Sequence, residues 1–146
     1  MLAPLFEQLL EKYPESVKVV FKNYPLPFHK YAGTAAVAAF AAARQGRFWE
    51  FHDLLFQYSK VLNPQRIEDI ARETGLDMDT YRRDATSPDT RSKIEKDIRD
   101  GKEAGVNGTP TLFINGRRVK NRTLSEMQSM IDRELARIKI KEKELD

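Results

Sequence analysis

Chemistry in a protein needs a nucleophile, an acid–base pair, a metal cage or a main chain offered to a partner. This chain has no cysteine, which excludes thiol nucleophiles, structural disulfides and zinc–thiolate sites. Its two histidines, His29 and His52, have no acidic or histidine neighbour at ligand spacing, so both read as polar edge residues. Asp77 and Asp79 look like a fragment of a calcium loop, but the glycine and the distal glutamate are missing. No metal, no cofactor and no catalytic residue is therefore expected. The run Arg117-Arg118-Val119-Lys120-Asn121-Arg122 could contact phosphates. Charges that protect an edge strand explain it equally well, and nucleic acid is not an expected partner. What remains is Gly108-Thr109-Pro110-Thr111, by itself a plain turn, since only about 5–6% of X–Pro bonds are cis.

The elements around these residues follow from their spacing. Leu2, Leu5, Phe6, Leu9, Leu10 and Tyr13 give an apolar helical face, ended by Pro14, with no capping residue before it. Val17, Val19, Val20 and Phe21 predict a short buried strand, closed by Tyr24-Pro25-Leu26-Pro27. A helical stretch follows from about Tyr31 to Gly105. Its alanine-rich segment Ala32–Ala43 is suited to close packing, and the aromatics Phe48, Trp49, Phe51 and Phe56 are expected in the core. Asn63-Pro64, Asp77 and Ser87-Pro88 mark helix starts, while Gly46, Gly75 and Gly105 mark stops. Thr111–Ile114, the turn Asn115-Gly116 and Arg117–Val119 predict a hairpin. Thr123 and Glu126 form a capping box for a last helix that buries Met127, Ile131, Leu135 and Ile138. The charged residues from Lys139 to Asp146 are expected to be a tail.

A chain of 146 residues is one domain by length, able to bury roughly 68–70% of its unfolded surface. Eight Phe, five Tyr and one Trp supply a core, and the net charge of +3 is only a weak pointer to a polyanion. No apolar run approaches the roughly 20 residues that span a bilayer, so no membrane partner is expected. The first residues lack the basic start and apolar stretch of a secretory signal, and as written the chain is expected in the cytoplasm. Helix, strand, several helices, hairpin, helix is the order of a small mixed sheet covered by helices.

Three segments carry a resemblance. Val106-Asn107-Gly108-Thr109-Pro110-Thr111-Leu112-Phe113-Ile114-Asn115-Gly116, Val19-Val20-Phe21-Lys22-Asn23-Tyr24-Pro25-Leu26-Pro27-Phe28-His29 and Gln45-Gly46-Arg47-Phe48-Trp49-Glu50-Phe51-His52-Asp53-Leu54-Leu55-Phe56 resemble, in order, the signatures of DsbA-like thioredoxin-fold proteins. The resemblance covers about Leu2 to Leu135. It implies an α/β thioredoxin-like fold with a helical insertion at about 31–105, in a single domain over 1–138. It also implies dithiol–disulfide exchange with protein or peptide substrates that carry thiols or disulfides, usually outside the cytoplasm.

In that family a strand and a Cys-x-x-Cys motif precede the segment Leu2–Leu10, so the chain resembles a member whose first strand is missing. The attacking thiolate sits at a helix N-terminus in such proteins, and a second cysteine resolves the mixed disulfide. Neither exists here, so the chain is expected to be redox-silent. The resemblance implies that Gly108, Thr109 and Pro110 bind substrate, with a cis Thr109–Pro110 bond and the Thr109 main chain offered to an extended polypeptide. Three accounts stay open: a shortened oxidoreductase, a cysteine-free peptide-binding module, and a protein unrelated to redox chemistry. Loss of a central strand leaves Val17–Phe21 and Thr111–Ile114 without partners, and a homodimer completing the sheet is expected.

Overall fold

In the computed structural model, residues 2–143 are described. They fall into two compact units, Lys22–Asn107 and the segments that flank it up to Phe21 and from Gly108.

Between Lys22 and Asn107 three of five helices start where a side chain satisfies a free amide. The five are α2 (Ala32–Arg44), α3 (Phe48–Gln57), α4 (Pro64–Glu73), α5 (Met78–Thr86) and α6 (Pro88–Glu103), with a 3-10 turn at Ser59–Val61. Asn63 accepts the Arg66 amide at 2.9 Å, Asp77 the Thr80 amide at 2.8 Å and Ser87 the Thr90 amide at 3.1 Å. Pro64 and Pro88 sit in first turns, where no helical hydrogen bond is lost. Gly75 ends α4 at φ +71°, a conformation that strains any side chain. The alanines of α2 keep that helix thin. Ala38, Ala39, Ala41 and Ala42 pack with Phe51, Ile67, Ile70 and Tyr81 in one buried cluster.

The flanking unit holds α1 (Ala3–Lys12), β1 (Phe113–Ile114), β2 (Arg117–Arg118) and α7 (Leu124–Lys143). The hairpin closes through Asn115 at φ 46° and Gly116 at φ 78°, the left-handed pair that a two-residue turn requires. Leu9, Tyr13, Val119, Met127, Met130 and Ile131 form its core, with Val17, Leu112, Ile114 and Leu135 packed around them. The Tyr13 hydroxyl donates to Asp132 at 2.7 Å, tying α1 to α7.

Three sequence expectations change. Val17–Phe21 forms no strand among the described residues, and Val20 is 68% and Phe21 41% exposed. A strand exists only where another pairs with it, and the one ladder among the described residues joins β1 to β2. Ile138 is 45% exposed and not core, because the packed face of α7 gives out after Leu135. The charged end is not a tail from residue 139. The helix runs on through Lys143, and residues 144–146 lie outside the described part.

Candidate functional site

The loop before β1 is held from both sides. The Thr111 hydroxyl donates to the Gly108 carbonyl at 2.7 Å, and the Arg122 guanidinium donates to the Pro110 carbonyl at 3.0 Å. The Thr109–Pro110 bond is cis. Thr109 and Pro110 are exposed and Gly108 is half-buried. Between the two tied carbonyls, the Thr109 main chain makes no hydrogen bond among the described residues. A polar backbone group held in a fixed loop and turned to solvent can meet the main chain of an extended ligand.

Arg122 reaches the loop because the hairpin doubles back and Thr123 starts α7, accepting the Glu126 amide at 3.3 Å. The sequence marked Arg122 only as one charge in a basic run. Its contact with Pro110 spans twelve positions and leaves no local signal. Within that run Arg117 is met by Glu134 at 3.0 Å, and Glu134 also takes Arg137 at 3.1 Å. Lys120 and Arg122 are exposed cations.

The other sequence candidates lie elsewhere. His29 is exposed beside the ring of Phe28. His52 pairs with Asp53 at 3.0 Å and sits among the rings of Phe48, Trp49 and Phe56. That aromatic group was expected in the core. Phe51 is fully buried and Phe48 partly so, but Trp49 is 46% and Phe56 54% exposed. Asp77 serves as the cap of α5. Among the described residues no three His, Asp or Glu side chains stand close enough to hold a metal ion.

A second polar cluster went unread in the sequence. Asp97 on α6 is 2% exposed and accepts both the main-chain and side-chain amides of Asn23, at 3.0 and 3.3 Å, while Lys93 and Lys22 supply positive charge. Burial pushes its carboxyl up, but Lys93 and the Asn23 amides outweigh that, and the net shift is down. Hydrogen bonds from Lys22 and Lys96 pull Asp100 down to about 2. The Tyr24 hydroxyl donates to the Val106 carbonyl at 2.9 Å. Its ring lies where a Cβ at Gly101 would stand, 2.8 Å away. This cluster fastens the extended stretch Lys22–Tyr24 onto α6 and contains no group left for chemistry.

With this geometry in place, comparison with known proteins is informative. Residues 2–133 match the family model described as Thioredoxin. A Na(+)/H(+) antiporter NhaA 3 of Salinispora tropica is 40% identical over 116 residues, covering 79% of this chain and 18% of the antiporter. A probable disulfide bond formation protein D of Bacillus cereus is 28% identical over 144 residues, covering 92% of this chain and 65% of that protein. The chain thus spans about a fifth of the antiporter's length and under two thirds of the other relative's. The crystal structure of a thioredoxin-like oxidoreductase from Silicibacter pomeroyi superposes with a TM-score of 0.78 at 27% identity, covering 92% of this chain and 78% of that one.

Proposed function

The chain belongs to the thioredoxin family, with the DsbA-like form of its fold, and on that premise we propose that it binds extended polypeptide through the Gly108–Pro110 loop without exchanging disulfides itself. The observation that carries this reading is exposed Thr109, whose main chain makes no hydrogen bond among the described residues and stands between carbonyls that Thr111 and Arg122 hold. Thiol–disulfide exchange needs a thiolate to attack a sulfur and a second thiol to release the product. The chain has no cysteine to do either. In this reading the loop supplies the substrate-holding half of an oxidoreductase site. Dithiol–disulfide exchange with protein substrates belongs to the complete family site.

The relative named as a disulfide bond formation protein supports the substrate class. The antiporter relatives support a domain that can be one part of a larger polypeptide. Two assays on one preparation test the reading. Insulin reduction is expected at the buffer-only rate. A labelled, cysteine-free unfolded polypeptide is expected to raise its fluorescence anisotropy when the folded chain is added. Turnover above buffer in protein freed of contaminating oxidoreductases would remove the redox-silent half. Absence of any anisotropy change up to millimolar chain would remove the binding half.

A further inference from the structure

Arg122 is fixed by the chain on both sides of it. Three residues earlier, buried Val119 donates to the Leu112 carbonyl at 2.9 Å, and one residue later Thr123 caps α7. From that anchored main chain the side chain reaches back, and Nη1 donates to the Pro110 carbonyl at 3.0 Å. A guanidinium holds five N–H donors in one plane and is always charged in proteins. The bond to Pro110 uses one of them. It leaves the Nε–Nη2 edge whole, a parallel pair of donors that can grip a carboxylate with two bonds. Arg122 is exposed, and no carboxylate meets it among the described residues. By contrast Arg117 and Arg137 lie on Glu134, and Arg133 reaches Glu126 at 4.0 Å.

We propose that Arg122 is a specificity-determining residue, taking a carboxylate of the bound polypeptide on its Nε–Nη2 edge while Nη1 keeps the Pro110 carbonyl. The proposal rests on the Gly108–Pro110 reading above and adds a substrate class to it: polypeptides with a carboxylate at one fixed distance from the residue that Thr109 meets. A long side chain loses rotamer freedom when it grips a ligand. The bond to Pro110 has already removed part of that freedom from Arg122, and the planar fork loses little more.

Exposed Lys120 belongs to the same basic run, but an ammonium is a point charge on a flexible stem and adds only long-range attraction. Position separates the two effects. A fork tied to Pro110 reads one place along an extended ligand, whereas a basic run favours acid anywhere on it.

The probes are labelled, cysteine-free peptides of Val, Thr and Ser, acetylated and amidated, in which a single Glu is moved one residue at a time and compared with Gln at the same place. Titrated into the whole chain, Glu should be favoured over Gln by about three- to fivefold at one position and by less than about twofold elsewhere. Arg122→Gln, whose amide is also a donor for the Pro110 carbonyl, should erase that preference and leave the Gln peptides bound as before. Arg122→Lys should erase most of it, since the charge stays but the paired donors go, and Lys120→Gln should leave it in place. A peptide without Glu but with a free C-terminal carboxylate, set against its amide, shows whether a chain end supplies the same group. Either source upholds the fork if Arg122→Gln abolishes the difference. A Glu preference that is equal at every position, or that survives Arg122→Gln, overturns the proposal and leaves the loop reading standing. So does equal binding of all Glu and Gln peptides by the unaltered chain. Loss of Glu and Gln peptides alike in a folded Arg122→Gln makes Arg122 a structural clamp and also overturns it. If no peptide binds the unaltered chain while circular dichroism shows it folded, the loop reading fails and this one with it.

Discussion

The unit from Lys22 to Asn107 and the unit flanking it are built from the same kinds of residue but close their hydrogen bonds differently. In the first, five helices satisfy their own interiors, and their ends are capped by Asn63, Asp77 and Ser87. Its one long extended stretch is fastened by Asp97, which takes two bonds from Asn23. In the second, α1, α7 and the hairpin share one core, and Val17–Phe21 joins no ladder among the described residues. A helix satisfies its main chain within its own sequence, whereas a strand borrows from a neighbour. The helices of the first unit therefore close their main chains internally, while in the flanking unit the ladder among the described residues is the one between β1 and β2.

Perturbations should fall unevenly across that divide. Phe51, fully buried in the helical core, gives the largest effect. Phe51→Ala should cost about 3–5 kcal/mol in urea unfolding, and a loss below about 1 kcal/mol would mean that the core is loosely packed. Asp97→Ala comes next. It strands the Asn23 amide and takes the carboxylate from Lys93, for a loss of roughly 2–3 kcal/mol. Asp97→Asn, which keeps one acceptor, should lose less.

Acid should act on the same fastening. The carboxyls of Asp97 and Asp100 lie below their ordinary value when folded. Their contribution is thus present above the unfolded value of about 3.9 and lost as the pH falls through the folded ones. For Asp100 that window runs down to about 2. Unfolding midpoints should drop across it, and the Asp97→Asn, Asp100→Asn double variant should flatten the profile. A profile equally steep in the double variant would place the acid sensitivity elsewhere.

The smallest effect belongs to the flanking unit. Val20→Thr, at a position 68% exposed, should change stability by less than about 0.5 kcal/mol. A larger loss would show that Val17–Phe21 is covered in solution, as the homodimer expected from the sequence requires.

What the sequence revealed follows the same divide. Helix starts and the Asn115-Gly116 turn were legible because each is decided by a few adjacent residues. The strand at Val17–Phe21 was not, since β-branched residues give only a propensity and the pairing partner decides. The exposure of Trp49 and Phe56 was hidden because Phe48-Trp49-Glu50-Phe51-His52-Asp53-Leu54-Leu55-Phe56 has apolar residues on more than one face of α3, so composition could not choose the buried one. Gly108, Thr109 and Pro110 were marked by resemblance as a binding loop, and their role in binding remains a proposal. The clamp by Arg122 and the fastening of Asn23 by Asp97 join residues 12 and 74 positions apart, and no local pattern announces either.

The central claim, that this thioredoxin-fold chain holds polypeptide by its main chain and not by sulfur, is met most directly by amide hydrogen exchange with and without the cysteine-free unfolded polypeptide. The Thr109 amide should exchange quickly in the free chain and slow by about tenfold or more when polypeptide saturates, with α2–α6 unchanged. Protection confined to the exposed aromatics of α3, with Thr109 exchanging as before, would contradict it.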